Sequence, residues 1–295
     1  MDIPEVVSLA LDRGARMSIS VSGGKDSQAM LSQLGAIDAS SKEIVHADLG
    51  RAEWPQTPQF VDDLSASSKL PLAVVRRVKG DLVQRIEERL KSVSTVDPTR
   101  PAKPFWPSSA QRYCTSDLKR DPIQKHQRSF GKNELIISCV GFRKEESTTR
   151  RKRPTLSIER KITFKQYRDL EPLEAVKAWD GEGRLVITWY PIHEWELGRV
   201  WEELGTSHTD VERRQELYKA GEVERSLKGW GAHPAYVFGN ERLSCALCVL
   251  ASKGDLCNGR VHNPELFQKY VELEQQSGYT FRDGFGLTEL ATVSG

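Results

Sequence analysis

Residues 18–27 read SISVSGGKDS, and the ten letters change character halfway. RMSISVS (16–22) has the composition of a buried strand, and SQAMLSQLGAI (27–37) that of the helix after it. A strand that turns abruptly into a helix exposes unpaired N–H groups at the helix N-terminus, where the helix dipole also favours negative charge. Gly23 and Gly24 let the backbone take left-handed values and come close to a phosphate. Lys25 adds a point charge, and Ser22 and Ser27 add hydroxyl donors. The stretch therefore reads as a cradle for polyphosphate. It is not a Walker A loop, because the G-x-x-x-x-G-K-[ST] spacing is absent. The plain alternative is a strand–helix turn with no ligand.

Outward from the loop, strands and helices alternate. EIVHADLG (43–50) is a second strand ending in Asp48 and Gly50, TPQFVDDLSASSKL a helix, and LAVVRRV (72–78) a third strand. DLVQRIEERLKSV (81–93) is an amphipathic helix with Asp81 placed to cap it. Residues 94–113 carry four prolines and read as irregular. Asp121-Pro122 opens another helix, and ELIISCVGFR (134–143) is a fourth strand with Cys139 as a small buried residue. The expectation is an α/β fold with a doubly wound parallel sheet and a smaller C-terminal helical region holding a cysteine cluster. Its segments would be a nucleotide-binding domain at 1–145, a basic excursion or hairpin at 146–192, and a helical region at 193–295 closed by a last helix at 264–278.

The 295 residues suffice for one large domain or two modest ones with a real core. Hydrophobic residues at 38% and charged ones at 28% are an ordinary globular mix, so neither disorder nor a fibrous chain is indicated. No apolar run approaches the roughly 18 residues that span a bilayer, and MDIPEVVSLALDRG lacks a basic leader region. A cytoplasmic protein with no membrane partner is expected. The formal net charge of +2 is unevenly spread, because 143–165 is strongly basic. Such a run suits a polyphosphate or a nucleic-acid backbone, against the bland reading of a solvated loop. Seven tryptophans, among them Trp189, Trp195, Trp201 and Trp230, could build an interface or stack bases, though core is their commoner use.

An odd number of cysteines, five, argues against a disulfide framework. Cys245 and Cys248 put two thiols on one tight turn, Cys257 follows through the flexible-looking ASKGDL, and Cys114 makes a fourth. Three or four thiolates suit zinc or a [4Fe–4S] cluster, and spacing does not separate the two. His262 is an alternative to Cys114 as a ligand.

SGGKDS resembles the PP-loop of the ATP-pyrophosphatase superfamily, and further stretches resemble its PAPS-reductase-like branch. HADLG stands where that branch has a strand ending in Asp-x-Gly. RYCTSDLKRDPI resembles its cysteine–lysine segment, VGFRKEES its G-x-R-x-x-x-S stretch, and HPAYVFGNERLSCALC the C-terminal region of its iron–sulfur members. The resemblance implies an adenine-nucleotide site in which Ser22, Gly23, Gly24, Lys25, Asp26 and Ser27 hold phosphates, Asp48 lies near the adenosine, and Lys119 and Arg143 reach phosphate or sulfate oxygens. It favours a [4Fe–4S] cluster on Cys114, Cys245, Cys248 and Cys257.

The chemistry it implies is an ATP- and Mg²⁺-dependent adenylation that releases pyrophosphate, followed by sulfur transfer from a cysteine desulfurase or another donor. The acceptor would be nucleic acid, as in DNA phosphorothioation or tRNA thiolation. Lys25, Asp26 and Arg143 would be catalytic, and a homodimer is kept open. His46, His193 and His233 are candidates for a general base. The alternatives are a reductase of adenylyl sulfate or its 3′-phosphorylated form, and a zinc-bearing binding module without catalysis. Family reductases use a C-terminal cysteine motif, whereas RDGFGLTELATVSG has none, and they show a Cys-Cys pair where RYCTSD has Cys114 alone.

Overall fold

The computed structural model describes residues 2–39, 41–94 and 104–291. The irregular reading of 94–113 therefore falls partly outside the described residues. Six strands form one sheet: β1 (Arg16–Ser20), β2 (Ser41–Asp48), β3 (Leu72–Arg76), β4 (Leu135–Val140), β5 (Leu156–Ile158) and β6 (Leu185–Trp189), in the order β3-β2-β1-β4-β6-β5. β1 is parallel to β2 and β4, and β4 is parallel to β6, while β5 closes one edge antiparallel to β6. The expected doubly wound α/β architecture is what the chain adopts.

The register explains which side chains meet. Ser18 stands between Glu43 and Ser138, and Ile19 between Ile44 and Cys139. Met17, Ile19, Ile44, Ile137, Cys139 and Ile187 share one face, with a strand's period of two. The helices Glu5–Asp12, Lys25–Gly35 and Pro172–Ala178 bury Val7, Met30, Leu34 and Val176 in that same cluster. The helix Asp121–Ser129 serves the other face, where Gln127 donates to Ser18 Oγ at 3.3 Å and Ser138 Oγ at 2.9 Å. Its His126 meets Glu43 at 2.8 Å. Helices thus cover both faces, as a parallel sheet buried on each side requires.

β6 is the strand that local pattern hid. LVITW lies inside the excursion or hairpin expected at 146–192, yet it pairs with β4 and continues the parallel sheet. Leu185, Val186 and Ile187 are fully buried. A short apolar run buried on both faces has no alternation to announce it.

The chain divides into two compact units, each discontinuous in sequence. One comprises 1–47, 59–75 and 123–211; the other comprises 48–58, 76–122 and 212–295. The second has its own core, in which Trp106 sets its ring edge-on against Tyr270 and Phe281 at 5.2 and 5.1 Å. Helices Leu82–Ser94, Lys253–His262 and Pro264–Ser277 frame it. The first of these carries the expected cap. Asp81 Oδ1 accepts the Gln84 N–H at 2.9 Å, and Gln84 Oε1 accepts the Asp81 N–H at 2.8 Å.

Candidate nucleotide site and thiol region

The loop after β1 is tied together from within. Gly23 takes φ +77°, a left-handed value that a side chain would resist. Ser27 Oγ donates to the Gly24 carbonyl at 2.9 Å and accepts the Ser22 N–H at 3.2 Å. The Ser22 and Ser27 hydroxyls stand 3.4 Å apart. His46, on β2, holds the loop from below: its Nδ1 lies 2.9 Å from the Val21 carbonyl. Nδ1 therefore donates, and this bond ties the loop to β2.

Lys25 and Asp26 begin the helix Lys25–Gly35. Lys25 Nζ lies 3.3 Å from Asp26 Oδ2 and 5.8 Å from the centroid of the Trp201 ring. Arg143, from the loop after β4, donates its Nε to Asp26 Oδ1 at 2.6 Å. The guanidinium is held in turn by Glu145 at 2.5 Å and the Trp195 carbonyl at 3.3 Å. Burial pushes the Asp26 carboxyl up, but the Lys25 ammonium and the Arg143 guanidinium outweigh it and hold the group below the usual carboxylate range. Lys25 and Arg143 are each 5% exposed, so the two cations and the carboxylate between them form an ordered, largely desolvated charge cluster.

Gly141 makes this approach possible. A Cβ there would lie 2.9 Å from the Asp26 carbonyl oxygen and 2.9 Å from the Ser27 Cα. Gly141 is the glycine of the G-x-R-x-x-x-S stretch, but its role as a point of close approach, and the part of Glu145, are seen only in the structure. The available signal was a glycine directly after a buried strand, which marks a close backbone approach.

The other candidates are distributed as follows. Asp48 accepts the Gly50 N–H at 2.6 Å with Oδ1 and Arg76 Nε at 2.6 Å with Oδ2. His193 is fixed between Glu194, 2.9 Å from Nδ1, and the Arg150 carbonyl, 3.1 Å from Nε2. His233 is fully buried. Its Nδ1 accepts the Ala235 N–H at 3.2 Å, so its Nε2 carries the proton toward Thr57 Oγ1 at 3.2 Å. Burial pushes its pKa down to about 4, and it stays neutral near pH 7. Trp189 and Trp201 are buried core residues.

The second unit gathers the cysteines. Cys114 leads into the π-helical turn Ser116–Arg120, which bears Lys119. Burial pushes the Cys114 thiol up; neighbouring Cys248 adds to this, and Lys119 opposes it. Burial likewise pushes Cys245 up, with Cys248 and Cys114 acting in the same sense. Three sulfurs thus lie within electrostatic reach of one another in an apolar setting. Cys248 Sγ also accepts the Leu250 N–H at 3.4 Å. Cys257 sits on the helix Lys253–His262, whose N-cap Ser252 accepts the Asp255 N–H at 3.0 Å. The ASKGDL stretch is therefore a capped helix start, not the flexible connection its composition suggested. Gly259 brings that helix against the cysteine turn, since a Cβ there would meet the Ala246 carbonyl oxygen at 2.0 Å. His262 stacks on Phe238 at 4.2 Å and meets the Tyr218 hydroxyl at 3.3 Å, within an aromatic group. Among the described residues, no set of three or more His, Cys, Asp and Glu side chains is arranged to hold a metal ion. The thiols nevertheless fit a soft metal in kind: Cys114, Cys245 and Cys257 are half-buried against one apolar core, and Cys248 accepts an N–H. Buried Cys139 stands apart on β4.

The phosphoadenosine phosphosulfate reductase domain model matches residues 16–251, most of the chain. The chain belongs to this family. The matched span includes the loop, Arg143, Cys114, Cys245 and Cys248. A curated relative, an uncharacterized protein of Methanocaldococcus jannaschii, is 22% identical over 285 residues. That alignment covers 94% of this chain and 52% of the relative, so the chain spans about half the length of the curated protein it matches. A solved phosphoadenylyl-sulfate reductase from Candida auris, crystallised with phosphate, is 16% identical with a TM-score of 0.40, covering 68% of this chain and 77% of that one. No helix among the described residues is long and apolar enough to cross a membrane.

Proposed function

We propose that this member of the phosphoadenosine phosphosulfate reductase domain family is an ATP pyrophosphatase that adenylates its substrate in preparation for sulfur transfer to nucleic acid. The observation carrying this reading is the Lys25–Asp26–Arg143 cluster beside the glycine loop, two buried cations around one ionised carboxylate. In the adenylation step an acceptor oxygen attacks the α-phosphorus of ATP. The new O–P bond forms as the bond to pyrophosphate breaks. Negative charge then grows on the leaving pyrophosphate, where Lys25, Arg143 and the loop N–H groups would stabilise it. A carboxylate that is ionised and oxygen-donating fits Mg²⁺, which commonly takes one or two protein carboxylates alongside substrate phosphates. Asp26 would hold that ion, which supplies Lewis-acid assistance when bound.

Cys114, Cys245, Cys248 and Cys257 would hold a [4Fe–4S] cluster, whose chemistry when bound is the handling of sulfur. A partner desulfurase would provide that sulfur, which displaces AMP from the adenylated acceptor. Asp48 and Lys119 remain candidates for contact with the nucleotide.

Anaerobic ATP–pyrophosphate exchange with Mg²⁺ and candidate nucleic acids tests the adenylation. Exchange is expected, and Lys25→Ala should abolish it while the preparation keeps absorption near 400 nm from the cluster. Sulfite release from adenylyl sulfate without any exchange would replace this reading with the reductase. A colourless, zinc-loaded protein without exchange would point to a binding module.

A further inference from the structure

The segment after Arg143 is basic beyond what the nucleotide site uses. Residues 143–168 carry ten Lys and Arg against three Glu. The structure divides these cations into two groups. Arg143 is engaged with Asp26 and Glu145, Lys144 with Glu194, and Arg150 with Glu146. Arg150 also lies over the Phe142 ring at 4.8 Å. Arg151, Lys152, Arg153, Arg160, Lys161, Lys165 and Arg168 are exposed, with Arg160 meeting Asp169 and Arg168 donating to the Thr163 carbonyl. They follow the β5 edge of the sheet. Arg153 Nη1 reaches the Tyr190 hydroxyl at 3.5 Å, just past the end of β6, whereas the Phe164 N–H meets the Arg184 carbonyl at 2.8 Å, just before its start. The strip thus begins at the end of the sheet that bears Arg143 and runs down the open edge.

Its aromatic content decides which polyanion suits it. Single-stranded nucleic acid is held by cations interleaved with exposed rings on which bases stack. Here Phe142 and Tyr190 spend their faces on each other at 3.9 Å, and Tyr167 is buried. Phe164, at 38% exposure, stands alone in the strip. Cations without a stacking platform suit a paired backbone, whose phosphates are regularly spaced and whose bases are already stacked. We infer that this edge binds the phosphate backbone of a double-stranded nucleic acid, without base readout. The inference deepens the proposed function and rests on its acceptor class. The competing explanation is that Lys and Arg merely blunt an edge strand against self-association.

Binding separates the two, and it can be read without ATP. Fluorescence anisotropy would follow labelled 30-base-pair DNA and RNA duplexes and the matching single strands between about 50 and 200 mM KCl. Duplex should bind more tightly than single strand, and the tighter duplex identifies DNA or RNA as the source. The combined variant Arg151→Gln, Lys152→Gln, Arg153→Gln should flatten the log–log salt slope by about 2 to 3, as three lost phosphate contacts require. Native protein should accordingly lose ~40-fold more affinity than the variant across that salt range. The pair Lys161→Gln, Lys165→Gln should flatten the slope by about 2 and covers the case in which the first variant folds poorly. Equal or tighter binding of single strand, or an unchanged slope in folded variants, would overturn the inference; aggregation of the variants with unchanged slope would mark the edge as protective. Exchange failure with normal duplex binding would instead count against the adenylation alone.

Discussion

Both candidate regions lean on a glycine that admits a neighbouring backbone, yet they are held by different forces. Around Asp26, Gly141 leaves room for the loop, and paired charges and short hydrogen bonds fix the geometry. Around Cys245 and Cys248, Gly259 lets a helix press onto the turn, and apolar burial with the polypeptide's own close approach supplies the order. The first region completes its electrostatics with its own side chains. The second leaves the Cys114 and Cys245 thiols raised above their ordinary range, by burial first and by neighbouring thiols second.

The largest expected effect comes from the tighter glycine. In Gly259→Ala the new methyl would sit 2.0 Å from the Ala246 carbonyl oxygen, a backbone atom with no rotamer to escape through. Alanine gains about 1 kcal/mol in helix propensity, but overpacking against main chain exceeds this, and a net loss of about 3 kcal/mol is expected by urea unfolding. Gly141→Ala should cost less stability, about 1–2 kcal/mol, because its nearest contacts are at 2.9 Å. It should nonetheless displace Asp26 and sharply lower pyrophosphate exchange. Equal stability losses would break the distinction between a region packed by contact and one held by charge.

A pH titration sharpens the same contrast, because the two units have buried groups with different windows. Asp26 is depressed below its ordinary range, so its contribution is present above the unfolded value of about 4 and is lost as pH falls through the lower folded value. His233 is also depressed, from 6.5 to about 4, but it is a base that folds neutral. Between those values the unfolded chain takes a proton that the folded chain refuses. Stability therefore falls as pH drops from about 6.5 to 4, by up to ~3 kcal/mol. His233→Gln should flatten that window while leaving the more acidic one in place. Parallel curves for native protein and variant would show that His233 does not set the acid sensitivity of its unit.

What could be read from the letters follows the range of the forces involved. The phosphate loop was legible because its signal is local: β-pattern, paired glycines, lysine and helix within ten residues. Arg143 entered through a resemblance, but its bond to Asp26 spans 117 residues and only the fold brings it there. β6 was misplaced because strand pairing is non-local and its apolar run lacks alternation. The helix Lys253–His262 was hidden for the opposite reason. KGDLCNGRVH has two glycines and little amphipathic pattern, so its order comes from the Ser252 cap and from contact at Gly259. The thiols were legible as a set of donors, but not as three that share an environment while the fourth rides on a helix.

The smallest effect tests that last point. Ser252 satisfies one of the orphan N–H groups at the start of the helix bearing Cys257, by accepting from Asp255 at 3.0 Å. Ser252→Ala removes the acceptor and should cost about 1 kcal/mol, whereas Ser252→Asp, which restores an acceptor and adds favourable charge at the helix start, should recover most of it. If the order around Cys257 came from apolar packing alone, both substitutions would leave the urea midpoint where it was. A loss with Ala and recovery with Asp would instead show that a single hydrogen bond helps determine where the fourth thiol sits.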